Sequence, residues 1–456
     1  MWVGRREPSL GTNLARVYGL DWRGLALYLL MAGGLFAAYV LAVRAARMAP
    51  ARAAAGVIVA GGVFSATLLP AHPTYSSDVF HYIATARVGF THGDNPHVTP
   101  PAAFPEDPAM SLSGWNSLPS PYGAAWTWLS ALPFVASDRA DDPTRAMLAF
   151  KALAVLCAVG ASAGVAVAAE RLRPGTAAAA AVVFSWNPVV IVHLGADGHN
   201  DAAMLLFLAW GLAALAWERR ALAVLLFGTA ALVKPAAGIG LMILAGVLLR
   251  RGYTRQVALG LCVTALLGLV LYAPFWAGAE TFRAMLDEGS YFTTTLGSLA
   301  ERVLAPAPGD GPAEMVIGAV LRLALLGVAV WMVLRVPDRP SAIIAGAAIA
   351  YTLAVTVLAT WYQPWYATWA LVFLAPLAAR GSGWLAAVLA LTAGGLLVPV
   401  ATNFAAQMSG RENDDLLIDV LGTALVLAPF IVLLPLLHTW TGRRGLTIGA
   451  PVSSPQ

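Results

Sequence analysis

Charged residues are scarce in this sequence: Asp, Glu, Lys and Arg make up 11% of its 456 residues, whereas hydrophobic residues make up 59%. Soluble globular domains carry roughly 25% charged residues, so the composition excludes an ordinary soluble enzyme. The net charge is only +4, and the Arg and Lys residues stand singly or in pairs between apolar runs. The sequence therefore predicts a polytopic membrane protein in contact with a lipid bilayer, and no nucleic-acid partner.

Cysteine is almost absent. Cys157 and Cys262 both lie within apolar runs, so they provide neither a disulfide framework nor a metal-binding motif. No internal repeat or flexible linker divides the chain, and the first apolar run, which begins near Gly24 after a polar lead, is at about 20 residues longer than a signal-peptide core. We therefore expect no cleavable signal peptide and a single transmembrane domain over residues 1–456.

The apolar runs predict an all-α fold, a polytopic transmembrane helical bundle. A bilayer core needs about 20 apolar residues per helix, and broken or closely packed helices can be shorter, so about 13 spans are expected. They cover residues 24–43, 53–70, 147–169, 175–193, 201–217, 221–233, 236–249, 256–274, 315–334, 341–359, 364–379, 383–403 and 416–437.

The distribution of Arg and Lys predicts the sidedness of the bundle, because short basic loops face the cytoplasm. One alternating assignment puts the basic pairs inside. It leaves the large loop 71–146, with its short amphipathic helices, the turn 195–200, the loop 275–314 and the turn 361–363 outside. The assignment requires that residues 122–136 form an interfacial or re-entrant helix. The N-terminal lead falls outside in this scheme despite its four Arg residues, and its placement stays open.

The stretch SSDVFHY, in the first large loop, contains the first candidate site. Helical spacing puts Asp78, His81 and Tyr82 on one face, opposite an apolar stripe. Ser77 is a candidate N-cap, which would place Asp78 in the first turn, where the helix dipole favours a negative charge. Asp78 is then either an available general base or merely an acid at a helix start on a solvated loop.

A second polar group occupies nine positions between two apolar runs and contains His193, Asp197, His199, Asn200 and Asp201. Polar residues at a membrane edge can simply be solvated, and Asn200 or Asp201 can cap the following helix. The same residues suit hydrogen bonds to a sugar or ligation of a divalent metal. Because no recognised metal-ligand spacing is present, a metal is not indicated and no cofactor is assigned.

Three cations lie within or between apolar runs: Lys151, Lys234 and Arg322. A charge in the bilayer core costs on the order of 3 kcal/mol, so these residues either face a polar cavity and an anionic partner such as a lipid phosphate, or extend to the interface. The segment TWYQPWYATW adds Trp361, Tyr362, Gln363 and Trp365 at an outer boundary. Such rings form aromatic belts without further function, and they also stack on sugars.

The order of these motifs resembles the polyprenol-phosphate-mannose-dependent mannosyltransferases of the C-type glycosyltransferase superfamily. The resemblance rests on SSDVFHY, GDNPH, SPYG with Tyr122, WNP…GHNDAAM, the Lys-Pro break and WYQPWY, and it covers about residues 60–370. Many relatives in the superfamily carry two acidic residues in the first motif, whereas this chain has Ser77 beside a single Asp. A metal-binding role for that loop is therefore not expected.

The resemblance implies an integral-membrane enzyme of the cell membrane with an extracytoplasmic active site. It would move mannose, with inversion, from a polyprenyl-phosphate donor to a glycan or glycolipid hydroxyl, with Asp78 as general base and Lys234 or Arg322 beside the departing phosphate. The other motif residues would bind substrate: His81, Tyr82, Tyr122, His199, Asn200, Asp201, Trp361, Tyr362, Gln363 and Trp365. The alternatives are a transporter or flippase of lipid-linked sugars, or the same superfamily with an arabinose or glucose donor or a protein acceptor.

Overall fold

The computed structural model describes residues 21–137, 142–287, 292–304, 311–379, 383–405 and 415–442. These residues are helical or irregular, and the extended pairing among them is one isolated bridge between Thr293 and Trp361. The predicted all-α fold class is confirmed. Of the N-terminal lead only the part from Asp21 onward is described, where the Asp21 carboxylate accepts a hydrogen bond from the Gly24 N–H and caps the first helix.

The α-helices are numbered here in chain order. They are α1 (Trp22–Ala46), α2 (Ala54–Ala66), α3 (Asp78–Phe90), α4 (Ala124–Ser137), α5 (Pro143–Leu172), α6 (Ala177–Ser185), α7 (Pro188–Ala196), α8 (Asp201–Ala216), α9 (Arg220–Val233), α10 (Gly238–Arg250), α11 (Thr254–Tyr272), α12 (Arg283–Asp287), α13 (Leu296–Leu304), α14 (Gly311–Arg335), α15 (Pro340–Thr356), α16 (Ala367–Ala378), α17 (Gly383–Pro399) and α18 (Asp415–Gly442).

Within the described ranges, six helices are long and apolar enough to cross a membrane, and the pair α6 and α7, bent by 50°, makes up to seven spans if it counts as one. The six are Trp22–Ala46, Pro143–Leu172, Thr254–Phe275, Gly311–Arg335, Gly383–Phe404 and Ile418–Pro435. The other predicted spans are apolar helices of 10–17 residues. Every run predicted as a span is therefore helical, while the count of about 13 crossings stays a prediction.

Close packing between α5 and α8 forms the centre of the bundle. Gly164 lies so close to α8 that a methyl group there would come within 2.8 Å of the Ala209 carbonyl carbon. Small residues allow this approach, which membrane helices use because lipid provides no hydrophobic force between them. The first turn of α5 is fixed by Pro143 and by the Asp142 carboxylate, which accepts hydrogen bonds from the Thr144 and Arg145 N–H groups.

Helix α3 lies within the first large loop, residues 71–146, and is buried along most of its length. Arg87 at the end of α3 and His92 just after it both donate to Asp107 Oδ2, at 2.8 and 2.9 Å. Burial raises the pKa of the Asp107 carboxyl, but the hydrogen bonds from Arg87 and His92 together bring it below its ordinary value. This ion pair ties the end of α3 to the later part of the loop.

Residues 122–136 correspond to α4, a 14-residue helix that is not among the helices long enough to span a membrane. It packs against α3, α5, α9 and α11. Its length agrees with the interfacial or re-entrant interpretation, and its position relative to a bilayer stays a prediction.

Two breaks in the helices bring polar residues into the interior. At the first, Asn187 caps α7 through a hydrogen bond from the Val189 N–H, and α7 ends in a π-helical turn. Gly198 then adopts a φ of +72°, which returns the chain so that the His199 N–H donates to the His193 carbonyl. At the second, Lys234 is extended between α9 and Pro235. Both breaks open toward the same region of the bundle.

Candidate active site

A cavity of about 330 Å³ lies where three segments meet. They are the first loop (residues 71–146), the second loop (residues 275–314) and the aromatic turn (residues 361–366). Its size is within the range of small-molecule pockets, roughly 300–1,000 Å³. The lining side chains include four from the first loop, one at the Lys-Pro break, three from the second loop and three from the aromatic turn. They are Asp78, His81, Trp115 and Tyr122; Lys234; Glu280, Arg283 and Asp287; and Trp361, Trp365 and Tyr366.

Asp78 is the first residue of α3, and its side chain is 16% exposed. Its Oδ1 accepts a hydrogen bond from Trp115 Nε1 at 3.3 Å, and its Oδ2 lies 3.7 Å from His199 Nδ1. Ser77 occupies the N-cap position and Asp78 lies in the first turn, as predicted, but the Ser77 side chain makes no capping hydrogen bond. The Asp78 N–H donates to Ser76 Oγ instead.

His81 lines the cavity but is committed to the loop. Its Nδ1 is paired with Ser113 Oγ at 3.1 Å, and a backbone hydrogen bond to Pro119 engages the ring as well. Burial lowers the pKa of His81 to about 4, so the ring is neutral at physiological pH. Its geometry suits holding the loop against α3 better than proton transfer.

Tyr82, His199 and Asn200 form a buried layer directly behind the cavity rather than lining it. The Tyr82 hydroxyl lies 3.4 Å from His199 Nδ1 and 3.4 Å from Asn200 Oδ1. The His199 ring stacks on Trp365, with centroids 3.9 Å apart. Through these contacts the layer supports Asp78 and the aromatic wall.

Lys234 faces the cavity and is paired with Asp201 behind it, at 3.2 Å from both carboxylate oxygens. Trp369 Nε1 also donates to Asp201. The ammonium lies 5.3–5.7 Å from the rings of Tyr122, Tyr366 and Trp369, a cation–π arrangement that holds a charge away from water. The pair therefore keeps a cation at the cavity wall in an otherwise aromatic environment.

The aromatic turn divides into two parts. Trp361 and Trp365 line the cavity, and Trp361 meets Trp115 edge to face at 6.2 Å. Tyr362 is buried against Val398 and Val426, and Gln363 is likewise outside the lining. The turn thus contributes ring faces to the cavity, while Tyr362 anchors it to the helices behind.

The other two cations that the sequence places within apolar runs lie elsewhere. Arg322 is on an exposed face of α14 and is not among the lining residues. Lys151 is fully buried in α5, and its ammonium donates to the carbonyls of Leu68, Leu69 and Ala71 at 2.7–3.0 Å. Neither of the two expected roles fits Lys151, because it satisfies the carbonyls that follow α2.

The structure adds lining residues that the sequence did not indicate. Trp115 stands in a polar loop without periodicity, so only folding shows its contact with Asp78. Glu280, Arg283 and Asp287 belong to the second loop, where charges read as ordinary solvated residues. The described lining of the cavity therefore contains three carboxylates. Glu280 is 56% exposed and paired with Arg283, and Asp287 is also exposed, whereas Asp78 is largely enclosed.

Comparison with known families identifies the chain. A sequence model described as alpha-(1->6)-mannopyranosyltransferase, N-terminal domain, matches residues 2–250, a little over half of the chain.

Three curated relatives carry the same name. The alpha-(1->6)-mannopyranosyltransferase A of Corynebacterium glutamicum is 26% identical over 324 residues, which cover 63% of this chain and 64% of that protein. The alpha-(1->6)-mannopyranosyltransferase A of Mycobacterium tuberculosis is 29% identical, covering 47% and 42%. A second alpha-(1->6)-mannopyranosyltransferase of that organism is 33% identical, covering 30% and 23%. The chain thus aligns with less than two thirds of each relative's length. The match over residues 2–250 shows that the chain belongs to the alpha-(1->6)-mannopyranosyltransferase family, as its resemblance to the C-type mannosyltransferases predicted.

Proposed function

We propose that this protein is a membrane mannosyltransferase that moves mannose from a polyprenyl-phosphate donor to a hydroxyl of a glycan or glycolipid, with Asp78 as general base. The observation that carries the proposal is the position of Asp78. Among the described lining residues it is the one largely enclosed carboxylate, on a cavity of about 330 Å³ that also presents aromatic rings and a buried lysine. Membership of a mannosyltransferase family supports mannose as the sugar.

Asp78 suits the role of base because its two oxygens have different surroundings. Oδ1 is held by Trp115, and Oδ2 lies beside His199, so the carboxylate has a defined orientation at the cavity wall. A general base must come within roughly 2.6–3.2 Å of the proton it removes. An acceptor hydroxyl placed against Asp78 would lose its proton to the carboxylate as its oxygen attacks the anomeric carbon.

The departing group would be the lipid phosphate. As the new bond forms, the bond between the anomeric carbon and the phosphate oxygen breaks, and the electron pair leaves with the phosphate. A phosphate is a good leaving group, so a protein general acid is not required. Lys234 and Arg283 are cations in the described lining of the cavity and would stabilise the developing charge. A single displacement inverts the anomeric centre and converts a β-linked donor into an α-mannoside.

The cavity also suits a substrate that arrives from a lipid bilayer. Loops 71–146 and 275–314 both contribute lining residues, and the described part of the chain contains six helices of membrane-spanning length. We therefore extend the proposal to one transmembrane domain in the cell membrane, with these loops and the cavity on the extracytoplasmic side, as the distribution of basic residues favours.

The test is transfer from a labelled polyprenyl-phosphate mannose by the purified full chain in lipid nanodiscs. Asp78→Asn, which keeps the shape of the side chain, should lower the transfer rate about 10²–10⁴-fold, the usual worth of a general base. Asp94→Asn, an exposed carboxylate of the same loop, should transfer normally. Asp287→Asn tests the exposed carboxylate across the cavity and should retain most activity.

Near-normal transfer by the Asp78→Asn protein would remove Asp78 as base, and a loss confined to Asp287→Asn would reassign the role. Labelled arabinose and glucose donors distinguish the related enzymes. Movement of the intact lipid-linked sugar across the bilayer, without transfer, would support a flippase instead.

A further inference from the structure

His193, Asp197 and His199 form a compact cluster behind the active-site cavity. One nitrogen of each imidazole and one oxygen of the carboxylate all lie within 4.8 Å of one another, and the three side chains are 0–4% exposed. The atoms that bind one transition-metal ion lie roughly 3–4 Å apart, given metal–ligand distances of 2.0–2.2 Å. Shifts of roughly 1 Å would therefore bring all three onto one ion.

The local backbone explains how this cluster forms without a recognised ligand spacing. His193 and Asp197 are four residues apart across the π-helical end of α7 and the turn after it, and their Nδ1 and Oδ2 atoms are 2.9 Å apart. Gly198, with its φ of +72°, then turns the chain so that His199 returns to the same point. A π-helical turn of this kind is rare and is frequent at functional sites.

The His199 ring supplies the second observation. Its Nδ1 faces Asp78 and the Tyr82 hydroxyl, whereas its Nε2, on the other side of the ring, is buried and has no hydrogen-bond partner among the described residues. A buried polar atom without a partner costs about 1–3 kcal/mol, so this nitrogen requires an explanation. A metal ion at Nε2 would satisfy it.

The charges at this point also suit a cation. Asp197 Oδ1 is saturated by the Thr74 N–H, the Thr74 hydroxyl and the Tyr75 N–H, which leaves Oδ2 as the ligand atom. The ammonium of Lys151 is committed to three backbone carbonyls. Asp197 therefore presents a negative charge that no lysine bond neutralises.

We propose that His193, Asp197 and His199 bind a divalent first-row transition-metal ion. Two imidazole nitrogens and one carboxylate oxygen select ions such as Zn²⁺ or Co²⁺ over Mg²⁺ and Ca²⁺, which prefer oxygen ligands alone. Bound at His199 Nε2, the ion fixes the tautomer that carries its proton on Nδ1, the nitrogen that lies 3.7 Å from Asp78 Oδ2. The metal thus positions His199 against the proposed base and lies behind the substrate cavity.

The test measures metal binding directly and does not depend on sugar transfer. The full chain is purified in detergent, stripped with a chelator and titrated with Co²⁺, whose visible absorption bands report nitrogen and oxygen coordination, and with Zn²⁺, counted by elemental analysis after gel filtration. His193→Gln and His199→Gln remove ligands. His92→Gln is the matched control, because His92 pairs with Asp107 on the loop.

The unaltered protein and the His92→Gln variant should each bind about one ion per chain, and Zn²⁺ should raise their melting temperature. His193→Gln and His199→Gln should bind at least about tenfold more weakly. His199→Cys, which restores a Zn²⁺ ligand, should recover binding if the glutamine variants are folded. Equal uptake by all variants would mean adventitious metal, and no uptake by the unaltered protein would mean a hydrogen-bonded cluster only. Either result overturns the proposal.

Discussion

Trp115 offers the sharpest test of how the proposed base is held. The loop places its indole N–H 3.3 Å from Asp78 Oδ1 and its ring against Trp361. Trp115→Phe removes the donor while keeping an aromatic ring in the cavity wall. The change therefore separates orientation of the carboxylate from the shape of the cavity.

The expected size follows from the geometry. A hydrogen bond to a charged partner contributes about 1.5–3 kcal/mol, and 3.3 Å is longer than the usual 2.7–2.9 Å for charge-assisted bonds, so the lower end applies. About 1.4 kcal/mol corresponds to a tenfold change in rate. We expect kcat to fall about tenfold with little change in KM, because the bond orients a reacting group and need not touch bound sugar.

The assay is transfer from labelled polyprenyl-phosphate mannose in nanodiscs, with kcat and KM measured separately. Trp276→Phe is the matched control, since Trp276 lies on the surface, 62% exposed, and does not line the cavity. If Trp115→Phe raised KM at constant kcat, the indole would be a sugar-binding surface only. If neither constant moved, the orientation argument would be refuted.

Three further predictions concern stability, each measured by thermal unfolding in detergent. Asp201→Asn leaves the buried Lys234 ammonium without its counter-charge and should cost about 3–5 kcal/mol. Gly198→Ala meets both a positive φ and the Lys151 side chain at 2.7 Å, whereas Gly93→Ala meets a similar φ of +70° in open space. The first should therefore destabilise by more than the 1–2 kcal/mol expected of the second. Because burial lowers the pKa of His81 from 6.5 to about 4, its contribution to stability is complete above pH 6.5 and is lost as the pH falls toward 4. Between pH 7 and pH 5 this amounts to about 2 kcal/mol, which His81→Asn should abolish.

Each of these three predictions has an outcome that would contradict it. Unchanged stability in Asp201→Asn would mean that the aromatic rings alone hold the ammonium. Equal costs at positions 198 and 93 would show that the neighbouring lysine side chain moves aside. A pH dependence that persists in His81→Asn would assign it to another buried group, and His97, whose pKa burial also lowers to about 4, is the first to examine.

The helices were predictable from the sequence because their signal is local. Runs of apolar residues appear as helices throughout the described chain, and the break at Lys234 coincides with the proline that follows it. Which of these helices cross a bilayer was harder to predict from the sequence. Helices such as α9 and α10 are short and pack within the bundle, so composition alone does not say whether each crosses a membrane.

Site residues that belong to contiguous motifs were predictable from the sequence. Contacts that folding makes between distant segments were not. Asp78, Lys234, Trp361 and Trp365 do meet at one cavity. Arg322 carried the same sequence signal as Lys234, a charge in an apolar run, yet it lies on an exposed helix face. Because a charge in an apolar run is costly, the sequence predicts that Lys151 has a polar partner. It does not identify that partner, which the packing of α2 against α5 shows to be backbone carbonyls.

Two segments contact the Asp78 carboxylate, one at each oxygen. Trp115 reaches it from the first loop across the cavity, and His199 reaches it from behind, at the turn that follows α7. Both segments contact the same aromatic turn, because His199 stacks on Trp365 and Trp115 meets Trp361. The aromatic turn is also paired with the second loop, through the bridge between Thr293 and Trp361. A substrate that displaced the aromatic turn would therefore shift both groups that hold the carboxylate, and this links occupancy of the cavity to the readiness of the proposed base.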